Sequence, residues 1–351
     1  MKNTNFIFLF LIIIYIYFKF NEKIKALSRL IKLNKISIKN FYKSFENGFE
    51  RIDMLNTCND FNNNHFEGFN IKNNNKILKD CYYVLNDICI IFDLIKMYIP
   101  PTIDENKTIQ KNQLLYEKKI ASYLNVKPNG IILELGCGCG RISNYISKIT
   151  KCTIYGLNIC PKQIKNANNY NIFNNNLYFV HDFNKKLNFK NNTFDAVYEI
   201  GAFAYTNNID DVLEEIFRVL KPGGRLVISD VVLLDNFNKK NNNHLKLINK
   251  VRQVGEVGHF THYKFWEKAA KKSNFKIIHS KKSGNLSPLL HKVLKNYKKY
   301  MIVISYLIKF KIIPSFIYDL IIRAKANYIK SIIKMENLNL MTFQYEFIFQ
   351  K

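Results

Sequence analysis

The chain has 351 residues, a hydrophobic share of 48% and a net charge of +26, with 53 Lys and Arg against 27 Asp and Glu. That hydrophobic share excludes a globally disordered chain. Its seven cysteines lack paired metal-ligand spacing, and their odd number argues against a secreted disulfide framework, so we expect reduced thiols and no metal site. The basic excess favours an anionic partner, either lipid headgroups or nucleic acid, and charge alone does not choose between them.

An uncharged apolar run, FIFLFLIIIYIYF, extends from Phe6 to Phe18 and is followed by basic residues: Lys19, Lys23, Lys25, Arg29 and Lys32. The run is shorter than the roughly 20 residues of a full membrane span, but flanking residues can extend it. Because it passes directly into Lys-rich sequence, an uncleaved anchor is favoured over a signal peptide. We predict a transmembrane anchor with its basic flank over residues 1–35, which leaves the main domain on the cytoplasmic side.

From Gly130 onward, strand-like and helix-like stretches alternate. The predicted strands are Ile131–Leu135, Cys152–Leu157, Leu177–Val180, Phe194–Ile200, Arg225–Val232 and Phe275–His279. The predicted helices are Arg141–Ile149, Pro161–Ala167, Asp210–Leu220 and Tyr263–Ser273. This alternation is typical of a parallel sheet with helices on both faces, so we predict an α/β, Rossmann-like fold.

Glycines occupy alternate positions after the first predicted strand, in IILELGCGCGRI from Ile131 to Ile142. Residues without side chains at a strand-to-helix turn let a ligand approach the main chain. A dinucleotide fold prefers G-x-G-x-x-G, whereas Arg141 stands at the third glycine position here and the pattern is G-x-G-x-G. Asn158 ends the second predicted strand about 22 residues after Gly136, where such folds place a ribose partner.

With HDF at His181–Phe183 and RVLKPGGRLVISD at Arg218–Asp230, these motifs resemble the class I S-adenosylmethionine-dependent methyltransferases over roughly Leu114–Lys281. The resemblance implies a methyltransferase domain over residues 113–285 that binds S-adenosylmethionine. By position, it implies these cofactor residues: Glu134, Gly136, Gly138 and Gly140 in the glycine turn, Asn158 at the ribose, Asp182 at the adenine amine, and Phe183 next to it.

Each polar residue of this set has a second interpretation. The family usually has an acid at the ribose position, and Asn158 keeps a hydrogen-bonding group without the charge. Asn158 could also only shape its turn, and Asp182 could cap a helix or turn. Glu134, inside a strand, could be a buried acid with a local partner.

Within this superfamily, the stretch FDAVYEIGAFAYTNNIDDVLEEIFRVLKPGGRLVISDVVLLDNF, from Phe194 to Phe237, resembles the sterol C-24 methyltransferase group. The C-terminal LMTFQYEFIFQK and the preceding IIPSFIYDLIIRAKANYI resemble the end of that group. The resemblance implies a lid or cap over residues 36–112 and a lipid-facing, sterol-methyltransferase-like region over residues 286–351. It also implies a sterol or related lipid acceptor, and we expect an endoplasmic reticulum membrane location.

The chain departs from that group after the fourth predicted strand. Gly201 and Tyr205 stand where the sterol enzymes have an acid and a histidine, and CYYVLNDICIIFDL at Cys81–Leu94 only faintly matches their tyrosine-rich upstream motif. Asp230, at the end of the fifth strand, matches an acid of the group.

Methylation of an alkene by a sulfonium methyl donor generates a carbocation, which aromatic rings stabilise and from which a base removes a proton. Tyr198, Phe203 and Tyr205 could supply the rings, and Glu199 or Asp230 could be the base. Alternatively, Tyr198 and Phe203 belong to the core and Asp230 positions a loop. Methyl transfer to an amine or oxygen needs mainly proximity and alignment, and tolerates the loss of a base.

From Ser287 to Tyr328 apolar and basic residues alternate, which indicates either a helix in a membrane interface or a core helix with exposed lysines. Either could wall an apolar acceptor pocket, and no nucleic-acid-binding module is recognisable. Three hypotheses remain: a membrane-associated methyltransferase for a sterol or related lipid, a methyltransferase for a phospholipid headgroup or other small amine, and an inactive membrane-bound cofactor-binding protein.

Overall fold

The computed structural model describes residues 21–32, 74–91, 94–171, 175–206, 208–255, 260–315 and 329–351. Its strands are β1 (Ile131–Leu135), β2 (Thr153–Asn158), β3 (Leu177–Val180), β4 (Phe194–Ile200), β5 (Leu220–Leu233), β6 (Thr261–His262), β7 (Lys276–Lys282) and β8 (Met341–Gln350). The helices α1 (21–31) and α10 (329–337) flank the others in sequence. Between α1 and α10 in the sequence are α2 (Asn74–Ile91), α3 (Ile109–Leu124), α4 (Arg141–Thr150), α5 (Pro161–Tyr170), α6 (Ile209–Val219), α7 (Asn242–Gly255), α8 (Tyr263–Lys272) and α9 (Ser287–Lys309).

The strands form one sheet in the order β3-β2-β1-β4-β5-β8-β7, and β6 pairs with β5 outside this path. Strands β1 to β5 are mutually parallel, with Ile132 opposite Ile154 of β2 and Ala196 of β4. The predicted parallel sheet is therefore confirmed. The chain order reverses between β1 and β4, so the loops after these strands open a crevice at the carboxyl edge of the sheet.

Helices cover both faces of the sheet. On one face, α3 contributes Tyr116, Ile120 and Leu124 to a core with Ile146 of α4 and Val227 of β5. On the other, α6 and α8 pack over the apolar side chains of β1, β4 and β5. Such two-sided coverage is what a buried parallel sheet requires.

The last strand, β8, runs antiparallel between β5 and β7. Phe347 and Phe349 are completely buried in the core beneath α6 and α8. The C-terminal segment therefore belongs to the main sheet, and the chain between β7 and β8 makes an excursion over the carboxyl edge through α9 and α10.

That excursion builds a third apolar cluster above the sheet. Leu290 and Val293 of α9 and Ile332 of α10 pack there with Val231 of β5 and Met341 of β8. This cluster lies next to the crevice, because Val231, Leu290 and Ile332 also line it.

The amino-terminal part of the described chain also packs on the protein. In α1, Ala26 and Leu30 are completely buried, and Arg29 donates through Nε and Nη2 to Asp87 Oδ1 of α2 at 2.9 and 2.7 Å. The predicted anchor at Phe6–Phe18 lies outside the described residues. Within the described part of the chain, no helix has both the length and the apolar character needed to span a bilayer.

We expect Phe347→Ala to destabilise the protein by about 3–5 kcal/mol, because it removes a completely buried ring from between β5 and β7. Urea unfolding monitored by circular dichroism measures the loss. The control Phe179→Ala removes a ring that is 42% exposed on β3 and should cost less than about 1.5 kcal/mol. Equal losses in the two variants would contradict the central position of β8.

Candidate functional site

The glycine turn between β1 and α4 has a backbone that only glycine adopts readily. Gly136 and Gly138 have φ of +77° and +52°. A Cβ on Gly136 would lie 2.4 Å from Ala202 Cβ, whereas one on Gly138 would meet no atom closer than Gln163 Nε2 at 4.0 Å. Gly136 is therefore required by packing, and Gly138 leaves open space at the mouth of the crevice.

Gly140 has a packing role within the same turn. It has φ of +69°, and a Cβ there would lie 2.8 Å from Tyr178 Cζ and 2.9 Å from Ala167 Cβ. Cys137 is buried in the cluster that contains these two side chains. The cysteine therefore fills space in a crowded turn.

The amide of Asn158, at the end of β2, is held in one orientation. Its Nδ2 donates to Gln163 Oε1 of α5 at 2.7 Å, which leaves Oδ1 as an acceptor for a ligand hydroxyl. Among the described residues, Gln163 Nε2 donates only to Met97 Sδ, at 3.5 Å, a weak bond that a better acceptor can replace. Gln163 is thus a candidate ligand residue that the sequence interpretation missed, although its place one turn into the helix after β2 could have indicated it.

Asp182 caps a turn and also lines the crevice. Its Oδ1 accepts the backbone N–H of Asn184 at 3.0 Å and the side-chain Nδ2 of Asn184 at 3.1 Å, so it does cap a turn. It also lines the crevice, together with Phe183. Asn184 Nδ2 donates further to the carbonyl oxygen of Tyr205 at 3.2 Å and connects the loop after β3 to the loop after β4.

Glu134 lies under the glycine turn and does not line the crevice. Its Oε2 accepts the hydroxyl of Ser143 in the first turn of α4, and its side chain is buried. Burial raises the pKa of Glu134 to about 7. The local partner supports the interpretation of Glu134 as a buried acid that ties β1 to α4.

Two carboxyl groups fix the loop after β4. Glu199 Oε2 accepts the N–H groups of Ala202 and Phe203 at 2.7 and 3.2 Å, and its Oε1 accepts that of Ser229 at 2.9 Å. Asp230 Oδ2 accepts the N–H of Ala204 at 2.9 Å. Glu199 is completely buried and does not line the crevice, whereas Asp230 does.

The same two groups interact electrostatically. Burial, and then repulsion from Asp230, raises the pKa of Glu199 well above its usual value. Burial also raises the pKa of Asp230, to about 6. Of the two carboxyl groups, Asp230 therefore gives up its proton more readily than Glu199.

Tyr205 ends a short 3₁₀ turn, Phe203–Tyr205, and lines the crevice beside Gly201. Its hydroxyl accepts that of Tyr82 of α2 at 2.8 Å, and the two rings meet edge to face. The faint upstream motif therefore does reach the site. A Cβ on Gly201 would meet nothing within 4 Å, so this position adds free volume.

The other aromatic candidates belong to the core. Tyr198 is completely buried beneath α3, and Phe203 stacks on Trp266 of α8 at 5.4 Å between ring centroids. Neither lines the crevice among the residues that the structure describes.

One cavity of about 310 Å³ joins these groups. At one end it contacts the glycine turn, Asn158, Gln163 and Asp182; at the other it is walled by apolar side chains, which are Val231, Leu286, Leu290, Val293, Ile329, Ile332 and Phe343. Tyr82, Tyr205 and Asp230 also line it. The cavity therefore has a polar end suited to a nucleoside and an apolar end suited to a hydrocarbon.

A family model described as a methyltransferase domain matches residues 133–228. The chain is 37% identical over 135 residues to the sterol 24-C-methyltransferase of Kluyveromyces lactis, a stretch that covers 38% of this chain and 36% of that protein. It is 31% identical over 173 residues to squalene methyltransferase 1 of Botryococcus braunii, covering 48% and 46% respectively. The matched stretches span less than half of these relatives.

Among solved structures, the [4+2]-cyclase SpnF superposes with a TM-score of 0.62 and 14% sequence identity, covering 79% of this chain and 96% of that chain. At this identity the likeness concerns the fold alone. It extends beyond the stretch that the family model matches.

We expect the pH dependence of stability to identify Glu134 as a buried acid. Its folded pKa of about 7 exceeds its usual value of 4.5, so the stability it contributes is full below pH 4.5 and is lost as the pH rises through 7. As the pH rises from 4.5 to 7, the unfolding free energy of the wild type should fall by about 3 kcal/mol more than that of Glu134→Gln. Urea unfolding at a series of pH values measures the difference, and parallel curves for the two proteins would contradict the assignment.

Proposed function

We propose that this chain transfers a methyl group from S-adenosylmethionine to a sterol or related apolar lipid. The match of residues 133–228 to a methyltransferase domain and the 37% identity to a sterol 24-C-methyltransferase over 135 residues support the proposal. The observation that carries the proposal is the single cavity that runs from the glycine turn to an apolar wall. The polar end fits a nucleoside and the apolar end fits a hydrocarbon acceptor.

The residues at the polar end suit S-adenosylmethionine. Gly138 leaves space for the cofactor against the main chain, and Asn158 Oδ1 and Gln163 Nε2 offer one acceptor and one donor to the ribose hydroxyls. Asp182 and Phe183 line the cavity as a carboxylate and an aromatic ring on one loop, which supports their assignment to the adenine. When bound, the cofactor supplies an electrophilic methyl group on a sulfonium.

The fixed amide of Asn158 compensates for the missing acid. A carboxylate at this position would accept hydrogen bonds from ribose hydroxyls, and Asn158 Oδ1 can accept one because Gln163 holds the Nδ2 end away. The second hydroxyl can accept from Gln163 Nε2. The pair therefore offers hydrogen bonds to both hydroxyls without a charge.

The apolar end favours a hydrocarbon acceptor over a charged headgroup. Its walls come from α9, α10 and β8, and the polar side chains of Tyr82, Tyr205, Asp230 and Gln344 also line the cavity. Lys96, which also lines the cavity, is paired with Glu117. A phosphate-bearing acceptor would need basic groups directed at it, whereas an alkene needs aromatic rings and a base.

Asp230 is the better candidate for the base. In alkene methylation the acceptor carbon gains the methyl group, the adjacent carbon becomes cationic, and a neighbouring C–H proton leaves to restore a double bond. Asp230 lines the cavity and is ionised at neutral pH, so its carboxylate can take that proton. Glu199, buried behind the loop, positions Asp230 and the 3₁₀ turn. Tyr205 and Tyr82 line the cavity, which supports the assignment of their rings to stabilisation of the cation.

We also propose that residues 1–35 anchor the protein in the endoplasmic reticulum membrane with the catalytic domain on the cytoplasmic side. The support is the apolar run at Phe6–Phe18 and the basic residues that follow it. The order of regions that goes with this proposal is a lid over residues 36–112, the methyltransferase domain over residues 113–285, and a lipid-facing region that begins at residue 286 and ends before β8 joins the main sheet.

We expect Gly138→Val to abolish binding of S-adenosylmethionine, because the new side chain would fill the open space at the glycine turn. Isothermal titration calorimetry measures the affinity. Gly223→Val is the matched control. Gly223 also has positive φ and open space around it, but it lies near the start of β5 and does not line the cavity. If both folded variants bound the cofactor like the wild type, the cofactor site would be misplaced.

For the acceptor chemistry, we expect Asp230→Asn to lower turnover at least about 100-fold while cofactor affinity persists. Glu199→Gln should mainly lower stability, and the turnover of its folded fraction should stay within about tenfold of the wild type. Wild-type turnover should fall below pH 6 as Asp230 becomes protonated. The assay supplies labelled S-adenosylmethionine and a lipid extract and identifies the labelled product.

Different outcomes separate the remaining hypotheses. Full turnover in both acid variants on the identified product would replace alkene methylation by methyl transfer to an amine, whose lone pair attacks directly and leaves no carbocation. Cofactor binding without any labelled product would favour a protein that binds the cofactor without catalysis.

A further inference from the structure

Exposed hydrophobic side chains cluster on the second half of α9 and on the turn that follows it. In the part of the chain that the structure describes, seven large hydrophobic side chains are more than half exposed, and five of them lie within 11 residues. These five are Ile302, Val303, Tyr306, Phe310 and Ile312. Single exposed hydrophobic residues are ordinary, but such a concentration indicates a surface that binds something.

These side chains lie on the outer side of the helix. Ile302, Tyr306 and Phe310 follow one another at intervals of four residues, which places them on one side of α9. The inner side is covered by the protein, because Leu290 is completely buried and Ile304 is 8% exposed. A helix that is apolar on both sides needs a second cover, which the described residues do not supply.

The charged side chains around this cluster are lysines. Lys295 and Lys299 precede it on the same side of the helix, Lys309 and Lys311 flank Phe310, and all four are exposed. None of them pairs with an acidic side chain among the described residues, and the sequence from 287 to 315 has no Asp or Glu. A second copy of the chain would bring lysines against lysines, whereas an anionic lipid surface complements them.

We propose that this outer face of α9, defined by the five apolar residues and four lysines named above, docks on an anionic lipid bilayer. The aromatic and aliphatic side chains enter the boundary between headgroups and acyl chains. The lysine stems lie along that boundary, with their ammonium groups at the lipid phosphates.

The docked helix also connects the bilayer to the cavity, a step that rests on the proposed lipid acceptor. Leu290 and Val293 on the inner side of α9 line the apolar end of the cavity. Nine residues separate Val293 from Ile302 along the helix, a rise of about 14 Å. An apolar acceptor dissolved in the bilayer is then held close to the cavity that receives it.

The test uses the full chain with Phe310→Trp and vesicles of equal parts phosphatidylcholine and phosphatidylserine, in which the acyl chains carry bromine to quench tryptophan. The wild type has one tryptophan, Trp266, which is buried against Phe203 and gives the background. We expect strong quenching of the fluorescence at position 310. The matched control is Phe179→Trp, at an exposed position on β3, where no quenching beyond the background is expected.

The charge requirement is tested in the same assay. In vesicles of phosphatidylcholine alone, or after Lys309→Gln and Lys311→Gln in anionic vesicles, the quenching at position 310 should fall severalfold, because each lysine near an anionic surface contributes about a factor of five to binding. High salt should have the same effect.

Three results would overturn the proposal. The first is that the protein floats with the vesicles but the fluorescence at position 310 is not quenched. The second is equal quenching in neutral and anionic vesicles. The third is a dimer that forms without lipid and that Phe310→Asp dissociates. Calorimetry of S-adenosylmethionine binding by the same variants tests the proposed methyltransferase function separately. The fluorescence reports only the contact of α9 with lipid.

Discussion

Two carboxyl groups in a dry interior govern the shape of the site. Glu199 and Asp230 together accept five backbone N–H groups from the loop after β4 and from β5, and these bonds fix the loop. The loop brings Ala202 against the glycine turn, where only the bare backbone of Gly136 leaves room. It also presents Tyr205 to the cavity. Because both carboxyl groups cannot ionise side by side at low dielectric, one keeps its proton and the other becomes a candidate base.

The two ends of the cavity are built in different ways. The polar end consists of turns that directly follow β1, β2, β3 and β4, so short stretches of sequence determine it. The apolar end is assembled from α2, α9, α10 and β8, which are far apart in the chain and meet because β8 inserts between β5 and β7. Substitutions in the second set can therefore reshape the apolar end without disturbing the polar end.

The long excursion between β7 and β8 gives one helix two functions in these proposals. The inner side of α9 closes the apolar end of the cavity, and its outer side carries exposed apolar residues among lysines. Its outer side is then available for a lipid surface.

The sequence by itself determined the parallel strands, the helices between them and the glycine turn, because each depends on local periodicity and on residues close in the chain. Glu134, Gly136 and Asp182 were named from such motifs, and the structure adds what each contacts. The core role of Tyr198 and the preference for Asp230 as base were left open, since both depend on which side chains neighbouring strands bury.

Only the tertiary structure decided the rest. It brought Gln163 to the amide of Asn158, Tyr82 to the hydroxyl of Tyr205, and β8 into the middle of the sheet. The hydroxyls of Tyr82 and Tyr205 lie 2.8 Å apart although 123 residues separate them in the chain. No local pattern records such a contact, because it results from the packing of whole elements against one another and not from the conformational preference of either residue.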